Sequence, residues 1–370
     1  MENATKTVIS VEKRSGFIDR RVSVAPMMDW TDRHCRYFLR SFSPSMLLYT
    51  EMITSAAILH GDRARLLRFS TAEHPVALQL GGSSPADLAI AARAGAEAGY
   101  DEINLNCGCP SDRVSAGAFG ACLMRRPKLV ADCVAAMRAV VRVPVTVKMR
   151  IGVVVGRGID ADSDVRSAMQ RFDERDYELL HDFTATLIDA GADALIVHAR
   201  KAVLGGLSPK DNREVPPLRF EVVRRLRADF PERPIILNGG VRDAAMARDA
   251  LAWCDGVMLG REAYHRPYVL AELHAGLLQD PAYHAPSPIE VIERMVAYAS
   301  LEIARGERLS AITRHMLGLL AHAPRARDFR RLLSEGARLP GANVGLLQQA
   351  MDLLSGECGV RAPVIALHTR

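Results

Sequence analysis

The stretch "NLNCGCPSDRV", Asn104 to Val114, carries two thiols one residue apart, Cys107 and Cys109. A zinc site needs two further ligands at sensible spacing, and no CxxC or HxxxH accompanies the pair, so no metal is expected. A Cys-x-Cys disulfide is strained, and seven cysteines scattered over 370 residues do not read as a disulfide framework. A packed, inert thiol is a fair reading of Cys107, which precedes the turn, and of Cys122 in "FGACLM". Cys109 differs because Gly108 and Pro110 fix it on a loop. A thiol there can act as the acid for a carbon centre that receives hydride from the opposite side.

Other polar residues sit where apolar runs end. Lys148 is interior to "VTVKMRIG", and a buried ammonium is costly unless paired, so an anion is expected to face it. A carboxylate such as Glu51 would serve, and so would the negative pyrimidine edge of a reduced flavin. Gln79 and Asn106 offer donors and acceptors suited to the edge of a flavin or a nucleobase. "APMMDW", with Pro26, Met27 and Met28, offers backbone groups and thioethers to a flat ring, or is ordinary core methionine. The glycines of Asn238-Gly239-Gly240 and Gly260-Arg261 either make tight turns or let backbone N–H groups approach a phosphate, and Arg261 favours phosphate. His198 is expected to touch cofactor or substrate, its alternative being a satisfied core histidine.

These residues need a scaffold that gathers strand ends. Eight short apolar runs begin at Val22, Leu47, Val76, Glu102, Val145, Ala194, Pro234 and Gly256. Continuous rather than alternating apolar character predicts strands buried on both faces, hence a parallel sheet. Helix-like segments lie between them, among them "SPADLAIAARAGAEAGY", "PKLVADCVAAMRAVV" and "PPLRFEVVRRLRADF". The alternation predicts an α/β fold, a (β/α)8 TIM barrel. A doubly wound sheet would need a G-x-G-x-x-G opening its first helix, and none is there. Every residue singled out above except Cys107 and Cys122 falls at the C-terminal end of a strand, the face on which barrel active sites form.

Composition bounds the rest. The chain is 49% hydrophobic and 25% charged with a formal net charge of +5, ordinary for a globular protein and permissive of an anionic partner. The N-terminal segment lacks the apolar core of a signal peptide, and no run of about 18 apolar residues occurs. No membrane association is therefore expected, and a reducing cytoplasm is the expected location.

The longer matches carry a resemblance. "VAPMMDWTDRHCRYFLR", "LLYTEMITSAAILHG", "YDEINLNCGCPSDRV", "VPVTVKMRIG", "IVHARKAVLGGLSPKDNREVPPL", "LNGGV" and "DGVMLGREAY" resemble the tRNA-dihydrouridine synthases, specifically their A-type branch. That resemblance implies an FMN-binding barrel over 21–270, after an N-terminal extension over 1–20, and a small C-terminal all-helical domain over 285–370 that binds tRNA. It implies that NADPH reduces the flavin, that hydride passes to C6 of a D-loop uridine, and that Cys109 protonates C5. Pro26, Met27, Met28, Gln79, Lys148, His198, Asn238, Gly239, Gly240, Gly260 and Arg261 would hold the flavin. Asn106 would lie beside the base, and Lys210, Arg213, Arg327 and Arg330 would touch tRNA. The A-type match implies D-loop positions 20 and 20a, and such a base must leave its stack to reach a barrel mouth. A monomer is expected.

Two segments stand apart. "ITRHMLGLLAH" has a helical apolar stripe (Ile312, Met316, Leu319, Leu320) followed by the basic run "APRARDFRRLL", read as a phosphate-binding face rather than a solvated one. The stretch of about 153–172 is longer than the A-type pattern needs and reads as an extended surface loop. Two rival functions remain: a flavin barrel reducing a small molecule, such as a dihydroorotate or an enoate, and a non-catalytic RNA-binding barrel. The basic tail and "KDNRE" argue against the first. Intact Cys109, Lys148 and His198 argue against the second.

Overall fold

The computed structural model describes residues 18–111, 117–156 and 163–355. The motif residues 112–114, residues 1–17 of the expected extension, residues 356–370 of the expected helical domain, and the middle of the long loop lie outside the described residues.

Strands β1 (Val22–Val24), β2 (Leu47–Thr54), β3 (Val76–Gly81), β4 (Glu102–Cys107), β5 (Val145–Arg150), β7 (Ala194–His198), β9 (Ile235–Asn238) and β10 (Gly256–Leu259) close into one barrel. Every neighbouring pair in it is parallel, including the closing pair β1–β10. These are the eight runs expected from the sequence, and the helices between them confirm the (β/α)8 architecture. The helix 85–98 shows why the local sequence works. The Ser84 hydroxyl accepts from the Asp87 N–H, Pro85 occupies the first turn, and Gly99 ends the helix at φ +105°.

The barrel interior is divided. Ala25, Leu47, Tyr49, Ala77, Ala194, Ile196, Ile236 and Met258 form an apolar cluster within it. Glu102, Asn104 and Thr146 are fully buried polar residues on β4 and β5. Strand β2 slips register between Tyr49 and Met52, a bulge at the level of Gln79.

The stretch read as an extended loop is more ordered than expected. Two additional strands, β6 (Val153–Val155) and β8 (Ala202–Leu204), pair in parallel outside the barrel, and a helix spans Ser163–Gln170. Val154, Val165, Met169 and Val203 give this unit a small core of its own. The buried Lys201 ammonium donates to Asp176 (2.8 Å) and to the carbonyl of Ala168 (3.0 Å), tying the unit to the barrel. Polar composition had hidden this short apolar periodicity.

After the barrel come helices 268–277, 288–304, 309–313, 326–336 and 345–355. The "ITRHMLGLL" stretch is not one continuous helix: it breaks into 309–313 and a 3₁₀ turn at 316–318, yet Ile312, Met316, Leu319 and Leu320 are all buried as the stripe required. The break lets Gly318 lie against the chain at Tyr264 and His265, where a Cβ would stand 2.6 Å from the His265 carbonyl oxygen. Tyr37 stacks on Tyr298 at 3.9 Å, and Trp30 stacks on Tyr264 at 4.4 Å. Asp32, which caps helix 33–40, also accepts from Arg314 (2.7 Å) and His315 (3.1 Å). Burial would raise its carboxyl, but those bonds and that of the Cys35 N–H outweigh burial and hold it well below the usual range. No described helix is long and apolar enough to cross a membrane.

Candidate active site

Side chains alternate across a strand, so Glu102, Asn104 and Asn106 share one face of β4. Their hydrogen bonds show that this face is the barrel interior. Asn104 donates to Thr146 Oγ1 (2.8 Å) and accepts from Gln79 Nε2 (2.7 Å), and Asn106 Nδ2 donates to Gln79 Oε1 (2.8 Å). Gln79 and Asn106, singled out from sequence at the ends of separate strands, are therefore bonded to each other.

The turn after β4 presents Cys109. Asn106 Oδ1 accepts from the N–H groups of Gly108 (3.1 Å) and Cys109 (3.0 Å), and the Cys109 carbonyl accepts from the Ala121 N–H (2.9 Å). Arg150 Nε donates to the Gly108 carbonyl at 3.2 Å. The loop is thus held from three sides. Cys109 is partly exposed, while Cys107 is completely buried and burial pushes its thiol far up. The two thiols of the motif divide into one accessible and one packed.

Around Cys109 the charges are lopsided. Lys148 pairs in register with Asn106, and Arg150 with His198. Burial, with Arg150 beside it, pulls the Lys148 ammonium down to about 7, Cys109 pulling the other way. No ion pair joins Lys148 to Glu51 or to any other described carboxylate, so the structural partner considered from sequence is not used. Burial likewise brings the Arg150 guanidinium down to about 9. Among the described residues its other bonds go to the carbonyls of Asn212 (3.0 Å) and Lys201 (3.4 Å), not to a carboxylate. Burial and the neighbouring Arg150 and Lys148 hold His198 well below its usual value, so its imidazole is neutral at pH 7.

The other strand ends complete the rim. Asn238 Nδ2 donates to the Met258 carbonyl at 2.8 Å. Gly239 has φ +98°, and a Cβ there would stand 2.7 Å from His198 Nε2; Gly240 has φ +80°, with Leu218 at 2.6 Å from its Cβ position. Gly260 precedes helix 261–265, and Arg261 at its start pairs with Glu214. Arg200 and Arg213 lie close enough to Arg261 to feel its charge. Pro26 and Met27 are half-buried at the end of β1, and Met28 is 56% exposed. Among the described residues no cluster suits a metal ion.

The profile of the family "Dihydrouridine synthase (Dus)" matches residues 23–354. The chain belongs to the dihydrouridine synthase family. It is 52% identical over 332 residues to a tRNA-dihydrouridine(20/20a) synthase of Xanthomonas axonopodis pv. citri, covering 90% of this chain and 93% of that one. Proteins of the same name from Pseudomonas syringae pv. tomato (51% over 339 residues, 92% and 95%) and Vibrio vulnificus (50% over 345 residues, 92% and 98%) are similar over comparable lengths.

In this dihydrouridine synthase chain the expected RNA contacts fall in two places. Lys210 and Arg213 are exposed on the loop following β8. Arg327 and Arg330 are exposed on helix 326–336, which packs on helix 345–355 and on the segment 309–318. The sequence reading missed Arg150, although its spacing two residues after Lys148 puts both on one face of β5. It also missed Glu102, Asn104 and Thr146, whose signal was the alternation of polar residues in "EINLN".

Proposed function

We propose that this protein reduces uridine to 5,6-dihydrouridine in the D-loop of tRNA, at positions 20 and 20a as in its named relatives, with FMN as its flavin and NADPH as the reductant. The observation that carries the reading is Cys109: an accessible thiol on a braced loop, beside Lys148 and Arg150, which have no carboxylate partner among the described residues.

The donor set suits the flavin. Lys148 would offer a cation to the electron-rich edge of the ring with Gln79 beside it, and Pro26, Met27 and Met28 would lie against the ring. Gly239 and Gly240 lie where a side chain would strike His198 or Leu218, and Gly260 and Arg261 end the neighbouring strand. Backbone N–H groups with Arg261 suit the phosphate, and Asn238 and His198 line the approach. Bound FMN would supply a hydride to C6 of the uracil. Cys109 Sγ would give its proton to C5, and Lys148 and Arg150 would stabilise the thiolate left behind. That thiolate would regain its proton from solvent. Asn106 would sit beside the base. Lys210 and Arg213 near the mouth, with Arg327 and Arg330 on the helical unit over 285–370, would hold tRNA phosphates while the base is turned out. We read 21–270 as the flavin-binding unit, and the protein as a cytoplasmic monomer.

The test is mass spectrometry on tRNA lacking dihydrouridine, incubated with the flavin-loaded protein and NADPH. Gain of two hydrogens on a D-loop uridine, located by fragment mapping, is expected. A protein that is reduced by NADPH yet leaves tRNA unchanged would favour the small-molecule reductase.

A further inference from the structure

Polar residues of β3, β4 and β5 form one continuous ladder inside the barrel whose direction is fixed at both ends. At the lower end the Glu102 carboxylate can only accept. It receives Arg20 Nη2 (2.6 Å) and Nε (3.1 Å), Tyr49 OH (2.6 Å) and Thr146 Oγ1 (2.5 Å). Because the single hydroxyl proton of Thr146 is committed to Glu102, its lone pair must take Asn104 Nδ2. Asn104 Oδ1 then accepts from Gln79, and Gln79 Oε1 accepts from Asn106. At the upper end the N–H groups of Gly108 and Cys109 can only donate, so Asn106 must offer them its oxygen. The two ends independently demand the same polarity. Flipping any one amide sets donor against donor and acceptor against acceptor in a buried column, at about 1–3 kcal/mol for each group left unsatisfied.

We propose that Glu102, acting through Thr146, Asn104 and Gln79, is the remote positioning anchor of the acid loop. It fixes the orientation of the Asn106 carboxamide, and that carboxamide holds the backbone of Cys109. Asn106 lies four residues after Glu102, about 13 Å along β4. The ladder uses both lone pairs of Asn106 Oδ1, leaving Asn106 one amide N–H to offer the mouth. An occupant facing it there must present an acceptor, such as a carbonyl oxygen. The inference rests on the reading of Cys109 as the proton donor.

Thr146→Val tests it, since valine keeps the shape and removes the one group that transmits polarity from Glu102 to Asn104. Thr146→Ser keeps the hydroxyl. The valine variant is expected to lower kcat on tRNA about tenfold, the equivalent of one lost hydrogen bond in a buried chain, with KM within about twofold. It is also expected to change the rate and pH profile of Cys109 alkylation by iodoacetamide, followed by peptide mass mapping on flavin-stripped protein. Thr146→Ser is expected to restore both. The alkylation readout does not depend on the reaction, so a wrong substrate assignment and a wrong ladder are separable. Wild-type alkylation and kcat in Thr146→Val would overturn the proposal. So would a serine variant that melts like wild type yet behaves like valine.

Discussion

The contact between the barrel and its helical tail and the barrel mouth both concentrate arginine and lysine, but they treat charge oppositely. At the contact each cation has a carboxylate. Arg33 bonds Glu302 and Glu307, Arg68 bonds Glu302 at 2.6 Å, Arg305 bonds Glu302 at 2.8 Å, and Arg314 bonds Asp32 at 2.7 Å. At the mouth Lys148, Arg150 and Arg213 have no carboxylate partner among the described residues, and Arg261 shares the exposed Glu214. Burying a cation is costly unless something compensates it. Paired cations serve the fold. On the proposed function, the unpaired ones are where an anion from outside the chain would complete the electrostatics, and they lie near the thiol.

The sharpest break of this comparison is Cys109→Ala. It should lower single-turnover reduction of tRNA about a thousandfold, within the usual range for a lost general acid, while NADPH still reduces the flavin at its normal rate. Stopped-flow measurement of the two half-reactions separates them, and equal loss in both would remove Cys109 as the proton donor. At the paired end, Glu302→Gln withdraws the carboxylate shared by three arginines. Some of those arginines reach solvent, so the cost should be about 2 kcal/mol in urea unfolding, below that of a fully buried pair. Unchanged flavin reduction should accompany it. A negligible stability loss would mean that the contact is held by the aromatic stacks instead.

Lys148→Met addresses the mouth directly. The folded state holds this ammonium near pKa 7 against an ordinary value of 10.5, so between those values the unfolded chain binds more protons. Raising pH through that window therefore stabilises the flavin-stripped wild type, and below about 7 the whole penalty remains. The methionine variant should melt higher than wild type at acidic and neutral pH, with the gap closing toward pH 10.5. It should also bind FMN about tenfold more weakly, as loss of a charge-assisted bond predicts. Higher stability without weaker flavin binding would leave Lys148 as an unpaired cation with no partner in the flavin.

The eight barrel strands were legible because a strand buried on both faces writes itself as a short apolar run, and the residues ending those runs were legible because polarity there has no packing reason. The motif around Cys109 could be separated into a packed and an accessible thiol from Gly108 and Pro110 alone. What the chain order does not display is which face of a strand meets the barrel axis. Arg150 was therefore passed over as a strand terminus, and Glu102 as the start of an apolar run. The carboxylates that neutralise Arg33 lie at Glu302 and Glu307, more than half the chain away, and no local pattern links them. The 163–170 helix was hidden for a different reason, since its core needs Val154 and Val203 from two other segments.

The smallest effect belongs to the exposed cations of the tail, and it asks whether an unpaired cation on the helical tail shares the role of those at the mouth. Arg330 Nε bonds only the Ala326 carbonyl at 3.2 Å within its own helix, and neither Arg327 nor Arg330 has a carboxylate among the described residues. Helix 326–336 buries Phe329 and Leu333 on its other side. Replacing both arginines by alanine should therefore leave stability within about 0.5 kcal/mol, as for surface positions generally. If they touch tRNA phosphates, KM for tRNA should rise about threefold to tenfold, and the slope of log affinity against log salt should flatten by about 1.5, roughly 0.7 to 0.9 for each phosphate no longer neutralised. Flavin reduction by NADPH should not change. An unaltered salt slope would confine the nucleic-acid surface to the mouth and to the loop of Lys210 and Arg213, making the tail arginines a solvated helix face.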